Sequence, residues 1–294
     1  MTRRVTSGER IFNIINVILL TVVALTCIVP FVHIIAVSFS DAAAVKGGMV
    51  KFWPVNFTSE PYAYVLEKAA FWRSFGVTLL RVAVGATINI FLTILIAYPL
   101  SKSVHKLRTR TLYVWFFFFT LLFNGGLIPN YLLVKELGFL NSIWALTLPG
   151  AVPVFSIILM LNFFREIPEE MEDAAFVDGA GHWRILFRVY VPLSLPAVAT
   201  ISLFAIVYHW NSWFDGMIYM KGDNYPLQTY LYSVVAAFQN SSILSTTELI
   251  RLADLNDRSV KAAQLIIGAV PVLLVYPYLQ KYFVTGIKLG GVKG

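Results

Sequence analysis

The sequence predicts an all-α, polytopic membrane protein with six transmembrane helices, and three observations carry that expectation. The chain of 294 residues is 58% hydrophobic and 13% charged, about half the charged share of an average soluble domain. Its charges fall between long charge-free stretches at 11–40, 82–101, 111–134, 137–164, 189–214 and 262–280. A helix needs about 20 apolar residues to cross a hydrocarbon layer about 30 Å thick, and every stretch reaches or nearly reaches that length. The runs are continuous rather than alternating, which argues against a barrel, and only helices satisfy all backbone hydrogen bonds within one segment. Lipid is the solvent for most of this chain.

The first stretch follows Arg3, Arg4 and Arg10. It is longer than the apolar core of a signal peptide, about 7–15 residues, so it reads as a retained helix. It holds Cys27, the single cysteine, which excludes an internal disulfide; His33, His105, His182 and His209 are scattered and show no metal-ligand spacing. Segment 41–73 reads as a loop with Pro54, Pro61 and a short amphipathic piece from Tyr62 to Phe71. The link 102–110 is tight and basic. The third stretch should break at Asn124-Gly125-Gly126, ahead of Pro129. The fourth contains Pro149 and Pro153, which are tolerated in a membrane span where neighbours or Ser/Thr re-satisfy the backbone. Segment 221–261 is polar, carries Pro226 and reads as two short helices without a long apolar run. No repeat or linker divides the chain, so 1–294 is expected to be a single membrane domain.

Positive charge orients the bundle. Arg3, Arg4 and Arg10, then Lys102, Lys106, Arg108 and Arg110, then Arg165, Arg184 and Arg188, and finally Lys281, Lys288 and Lys293 share one side. The other side carries Lys46, Lys51, Lys68, Arg73, Lys135, Lys221, Arg251, Arg258 and Lys261, mostly in long loops, where the positive-inside rule is weak. Both termini are therefore expected in the cytoplasm, with 221–261 as a large extracytoplasmic loop. This bias explains the net charge of +7, so nucleic-acid binding is not needed to account for it.

One cytoplasmic segment, 165–192, breaks that rule. From Arg165 to Arg188 it carries Glu166, Glu169, Glu170, Glu172, Asp173 and Asp178 against Arg165, Arg184 and Arg188. Pro168 suits a first helical turn, and the acids that follow suit the positive end of a helix dipole. Met171, Ala174, Ala175 and Asp178 recur at helical spacing, and the two alanines let a partner backbone approach closely. Gly179-Ala180-Gly181 ends that helix, and a second amphipathic piece from His182 to Tyr190 carries Trp183, Leu186 and Phe187. From the residues alone this is either an interfacial loop with solvated acids or a docking knob for a cytosolic partner.

The spacing decides between them by resemblance. Asp173-Ala174-Ala175, three residues, Gly179, nine residues, Val189, one residue, then Val191-Pro192 resembles the EAA loop of ABC importer permeases, whose pattern is Glu-Ala-Ala, Gly, Ile, Leu-Pro at the same intervals. Asp173 stands for the usual Glu with a shorter reach. Phe164, Ile167-Pro168, Asp178-Gly179-Ala180, Trp210-Asn211-Ser212-Trp213, Gln280-Lys281-Tyr282-Phe283 and the ending Gly291-Val292-Lys293-Gly294 resemble the carbohydrate-uptake branch. Phe123-Asn124-Gly125-Gly126-Leu127-Ile128-Pro129 resembles permeases for polysaccharide-derived oligosaccharides. The resemblance implies a type I importer permease of the bacterial inner membrane. It implies as partners two copies of an ATPase subunit, a second, homologous but different permease chain, an extracytoplasmic solute-binding protein, and lipid. Glu170, Met171, Asp173, Ala174, Ala175, Asp178, Gly179, Ala180 and Gly181 would form the coupling helix gripped by the ATPase, and Gly179→Pro is expected to uncouple transport.

This chain carries no G-x-x-x-x-G-K-[ST] phosphate loop and no nucleophile–base pair, so it is expected to be a non-enzyme, with ATP and magnesium used by the partner ATPase. Ionisable residues inside spans are functional candidates. Arg81 and Asp215 are expected to pair or to line a cavity, or else Arg81 snorkels to headgroups; on the path, Arg81 would favour a uronate-bearing oligosaccharide. Tyr208, Trp210 and Trp213 suit stacking on sugar rings and equally suit an aromatic belt or packing; with Asn124 and Asn211 they complete the substrate-path candidates. A secondary transporter or channel is the competing reading. It would usually show paired broken segments or coupling carboxylates, and Asp215 is the only intramembrane acid available.

Overall fold

The computed structural model describes residues 7–239 and 256–290. These are almost entirely helical, with one isolated antiparallel bridge from Ser40 to Phe57. The ending Gly291–Gly294 and residues 240–255 of the polar segment lie outside the described residues. Contacts divide the chain into two compact units, one of residues up to Ala69 with Val234–Ala269, the other of Ala70–Ser233 with the chain from Val270.

In the first unit, α1 (Ser7–Ser38) turns a nearly unbroken row of apolar side chains outward, from Ile11 to Ile35. So large an exposed apolar surface is a membrane surface rather than a water-facing one. Its threonines spend their polarity within the helix: Thr21 and Thr26 donate to the carbonyls of Val17 and Val22, at 2.7 and 2.9 Å. Segment 41–73, expected as a loop with one amphipathic piece, is more ordered than that. Asp41 accepts the amide of Ala43 and so caps α2 (Ala42–Lys46), and α3 spans Glu60–Leu66. Ser40 Oγ donates to Ala36 O at 2.6 Å and accepts the Val55 amide at 3.0 Å, while Phe39 stacks on both Phe57 and Tyr62.

In the second unit, α4 (Ala69–Ser101) starts well before the charge-free run at 82 and takes Arg73 and Arg81 into the helix. Helices α5 (Arg110–Leu122) and α6 (Leu127–Glu136) meet at a bend of 111°. The bend falls on the expected glycines: Gly126 has φ +87°, and Asn124 Oδ1 accepts its amide at 2.9 Å.

The fourth stretch departs from expectation. It holds only α7 (Ile143–Thr147) and α8 (Val154–Arg165), separated by the segment carrying Pro149 and Pro153. Pro153 lacks an N–H and pushes Val152 out of the helical region, so the helix breaks rather than bends. The carbonyls freed there do not stay bare: Asn89 on α4 donates to Gly150 O at 2.7 Å and to Ala151 O at 3.0 Å.

Beyond α8 come α9 (Glu169–Val177), α10 (His182–Ile185), a π turn at Leu186–Tyr190, α11 (Val191–Leu193) and α12 (Leu195–Asn211), the last set off by a bend of 86°. Helix α13 (Phe214–Tyr219), a 3₁₀ turn at Gly222–Asn224, α14 (Leu227–Gln239) and α15 (Asp257–Gly290) complete the described residues. By length and apolarity α1 and α4 cross a bilayer alone, and the two bent pairs bring the number to at most four among the described residues. By that measure the described residues do not reach the six spans expected from the sequence. A core of Ile94, Ala97, Tyr98, Met160, Phe164, Ile185, Tyr190 and Ile201 clamps α4, α8, α12 and the π turn together.

Candidate functional site

Helix α9 projects from the end of α8 as an elbow, and its surface is inverted relative to an ordinary amphipathic helix. Its single buried residue is Glu172, 2% exposed, whereas Met171, Phe176 and Val177 are exposed, Val177 by 87%. Glu170, Asp173, Ala174, Asp178, Gly179 and Gly181 are also exposed, while Ala175 and Ala180 are half-buried against the core.

The turn that closes α9 is a Schellman motif. Gly179 sits at φ +75°, the Ala180 amide donates to Ala175 O at 2.9 Å, and the Gly179 amide donates to Phe176 O at 2.9 Å. The left-handed backbone, rather than lack of space, asks for glycine here, because a Cβ on Gly179 would meet nothing within 4 Å. Beyond the turn, α10 is held by Tyr98, whose hydroxyl lies 3.2 Å from His182 Nδ1.

Glu172 joins the elbow to the basic turn after α4. Its Oε2 lies 2.9 Å from Lys102 Nζ and 3.7 Å from Lys106 Nζ, and it accepts the Tyr190 hydroxyl at 3.0 Å. Lys102 Nζ also sits over the rings of Tyr98 and Tyr190, at 3.9 and 4.0 Å from their centroids. Lys106 reaches Glu169 at 3.4 Å and Asp173 at 3.6 Å as well. Burial would raise the Glu172 carboxyl, but Lys102, Tyr190 and Lys106 outweigh it and hold the group below its ordinary value. Burial pulls Lys106 down, and the three surrounding acids, Glu172, Glu169 and Asp173, together carry it above its ordinary value. Both shifts favour the charged forms of Glu172 and Lys106, whereas burial lowers Lys102 from its ordinary value against the pull of Glu172.

Residues 89–289 match the family described as the binding-protein-dependent transport system inner membrane component. The chain belongs to that family. It is 37% identical to protein LplC of Bacillus subtilis over 98% of this chain and 97% of the relative. It is 36% identical to the polygalacturonan/rhamnogalacturonan transport system permease protein YtcP of the same organism, over 97% and 99%. Among solved structures it resembles a chain of a bacterial ABC transporter involved in the import of the acidic polysaccharide alginate, with a TM-score of 0.86, 33% identity, and coverage of 96% of this chain and all of that one. The transport family replaces the competing reading of a secondary transporter or channel.

The permease's intramembrane candidates fall into distinct environments. Arg81 is fully buried; its Nη1 donates to Asp215 Oδ1 at 3.1 Å and to Ser212 O at 3.3 Å, and its Nη2 pairs with Asp215 Oδ2. It does not snorkel, and both Nη groups are already engaged. Trp210 is buried against Phe75, Trp213 stacks on Tyr232 at 4.3 Å, and Asn124 organises the α5–α6 bend. Tyr208 and Asn211 remain exposed.

Two groups escaped the reading of the sequence. One is the latch of Glu172, Lys102, Lys106 and Tyr190; its available signal was an acidic segment and a basic turn expected on the same side of the membrane. The other is His209, fully buried, whose Nε2 lies 2.8 Å from Asn89 Oδ1. Asn89 spends its amide protons on Gly150 and Ala151, so its oxygen accepts and the histidine proton sits on Nε2. Residues far apart in sequence carry no local signature of that contact.

Proposed function

We propose that this permease carries a uronate-containing oligosaccharide, cut from an acidic polysaccharide, across the bacterial cytoplasmic membrane by alternating access driven by a partner's ATP hydrolysis. The observation that carries the coupling is the α9 elbow, a short helix whose apolar face points away from its own protein. An exposed patch of Met171, Ala174 and Val177 outside the apolar stretches suits a protein partner. Its ionised anchor lets the elbow carry load without an apolar core of its own. The sugar class is supported by relatives named for polygalacturonan/rhamnogalacturonan and alginate.

Both termini and the elbow face the cytoplasm in this reading, where two copies of an ATPase subunit grip the elbow of this chain and that of a second, different permease. ATP and magnesium belong to those subunits, and this chain performs no chemistry. The segment 221–261 faces outward and meets a solute-binding protein. The substrate path runs past Tyr208 and Asn211, whose exposure leaves them free to contact a sugar, whereas Trp210 supports the wall from behind.

The test is reconstitution. Tagged permease should copurify with a second permease and an ATPase, and proteoliposomes given the binding protein and ATP should accumulate labelled oligogalacturonate or alginate oligosaccharides in preference to neutral maltooligosaccharides. Absence of an ATPase from the purified complex would sink the coupling reading. Equal uptake of the neutral sugars would sink the substrate class alone.

A further inference from the structure

Most of the residues expected to grip the motor are exposed on α9 or on the turn that closes it, yet none of these exposed side chains explains how motion of α9 reaches the rest of the permease. Glu172 is the sole buried residue of that helix. Its carboxylate ends on Lys102, the first residue beyond α4, and on Tyr190 of the π turn. The adjacent space is not filled: an open cavity of about 620 Å³ lies beside the joint, lined by Tyr98, Lys102, Lys106, Glu172, Phe176 and Trp183 among others. Beside that cavity, polar contacts join α9 to the end of α4. Helix α4 then runs for 33 residues as one element. It carries Asn89, which holds His209 and the α7–α8 break, and Arg81, which holds Asp215. At about 1.5 Å per residue, Arg81 lies about 30 Å along the helix from its Lys102 end.

We propose that Glu172 is a positioning residue, the latch through which the α9 elbow moves α4 and with it the two intramembrane polar clusters. The proposal rests on the elbow being the motor's docking point, and it adds that docking alone does not transmit: the elbow must also be bolted to Lys102. Removing one member strands a buried charge, whereas removing both does not. That difference separates a mechanical role from a purely structural one.

The experiment uses the complete reconstituted complex and compares Glu172→Gln, Lys102→Met and the double variant. Each single variant lowers the thermal midpoint of the complex, and the double variant recovers most of that loss. Labelled oligogalacturonate transported per ATP hydrolysed stays down about tenfold in the double variant, within the usual range of coupling between sites, while ATPase copurification stays at the wild-type level. A double variant with the wild-type transport ratio would overturn the proposal. If the double variant fails to assemble, Tyr190→Phe decides, since it deletes one hydrogen bond to Glu172 and leaves both charges. A reduced ratio supports the latch and an unchanged ratio overturns it. Failure of the wild-type complex to retain its ATPase would instead overturn the docking reading beneath.

Discussion

Arg81 and Asp215 form a two-pronged ion pair between α4 and the first turn of α13, with the arginine side chain fully buried. Asp215 Oδ1 also accepts the Ser212 hydroxyl at 3.0 Å and the Gly216 amide at 2.8 Å, so the carboxylate is satisfied from several directions. Asp215→Asn strands a buried guanidinium and is expected to cost about 3 kcal/mol, read as a lower thermal midpoint in detergent. The double variant Arg81→Met/Asp215→Leu should recover much of that loss. Because the guanidinium is already paired, Arg81→Ala should reduce uptake of acidic and neutral oligosaccharides alike. A selective loss of the acidic ones would show that Arg81 reads the substrate's charge directly.

At the elbow, the demand at Gly179 is for a left-handed backbone and not for room. A graded series follows. Gly179→Asn, the residue that best tolerates that conformation after glycine, should retain most ATP-driven uptake. Gly179→Ala should cost about 1 kcal/mol locally and lower uptake partially. Gly179→Pro locks φ near −65°, removes the amide that donates to Phe176 O, and should abolish coupled uptake with membrane insertion unchanged. Equal uptake across the series would refute the role of the turn.

Much of this architecture is legible in the sequence because composition acts locally. Charge-free stretches mark apolar helices, Asn124-Gly125-Gly126 marks a break, and the acidic run ended by Gly179 marks the elbow. What stays hidden depends on partners distant in the chain. Glu169, Glu170 and Glu172 crowd the same first turn and look equivalent, yet only Glu172 folds inward, because Lys102 waits at the end of α4. Pro149 and Pro153 give no sign of whether their helix will bend or break; Asn89, satisfying the freed carbonyls from another helix, is what makes the break affordable. Trp210 and Trp213 read alike as aromatics near an interface, but one packs on Phe75 and the other stacks on Tyr232.

His209 is packed so closely against Gly85 that a Cβ there would run into the imidazole ring. Gly85→Ala should therefore destabilise by about 1–3 kcal/mol through overpacking, measured as a lower thermal midpoint. The loss should shrink when His209 is also replaced by alanine, since the ring that clashes is gone. Additive losses in the double variant would show that the two positions do not share the space the structure gives them.

The Glu172 latch makes a pH prediction with a definite sign. Its carboxyl is held below the ordinary value of 4.5 in the folded protein, so the folded state binds the proton less readily than the unfolded chain does. The stabilisation is fully present above the unfolded value and is lost as pH falls through the lower, folded one. The difference in thermal midpoint between the wild-type complex and Glu172→Gln should therefore stay constant from about pH 8 down to about pH 5 and shrink below about pH 4.5. Glutamine does not titrate, so groups not coupled to Glu172 cancel in the comparison. A difference that already shrinks between pH 7 and 6 would show that Glu172 is not the group whose titration sets the strength of the joint.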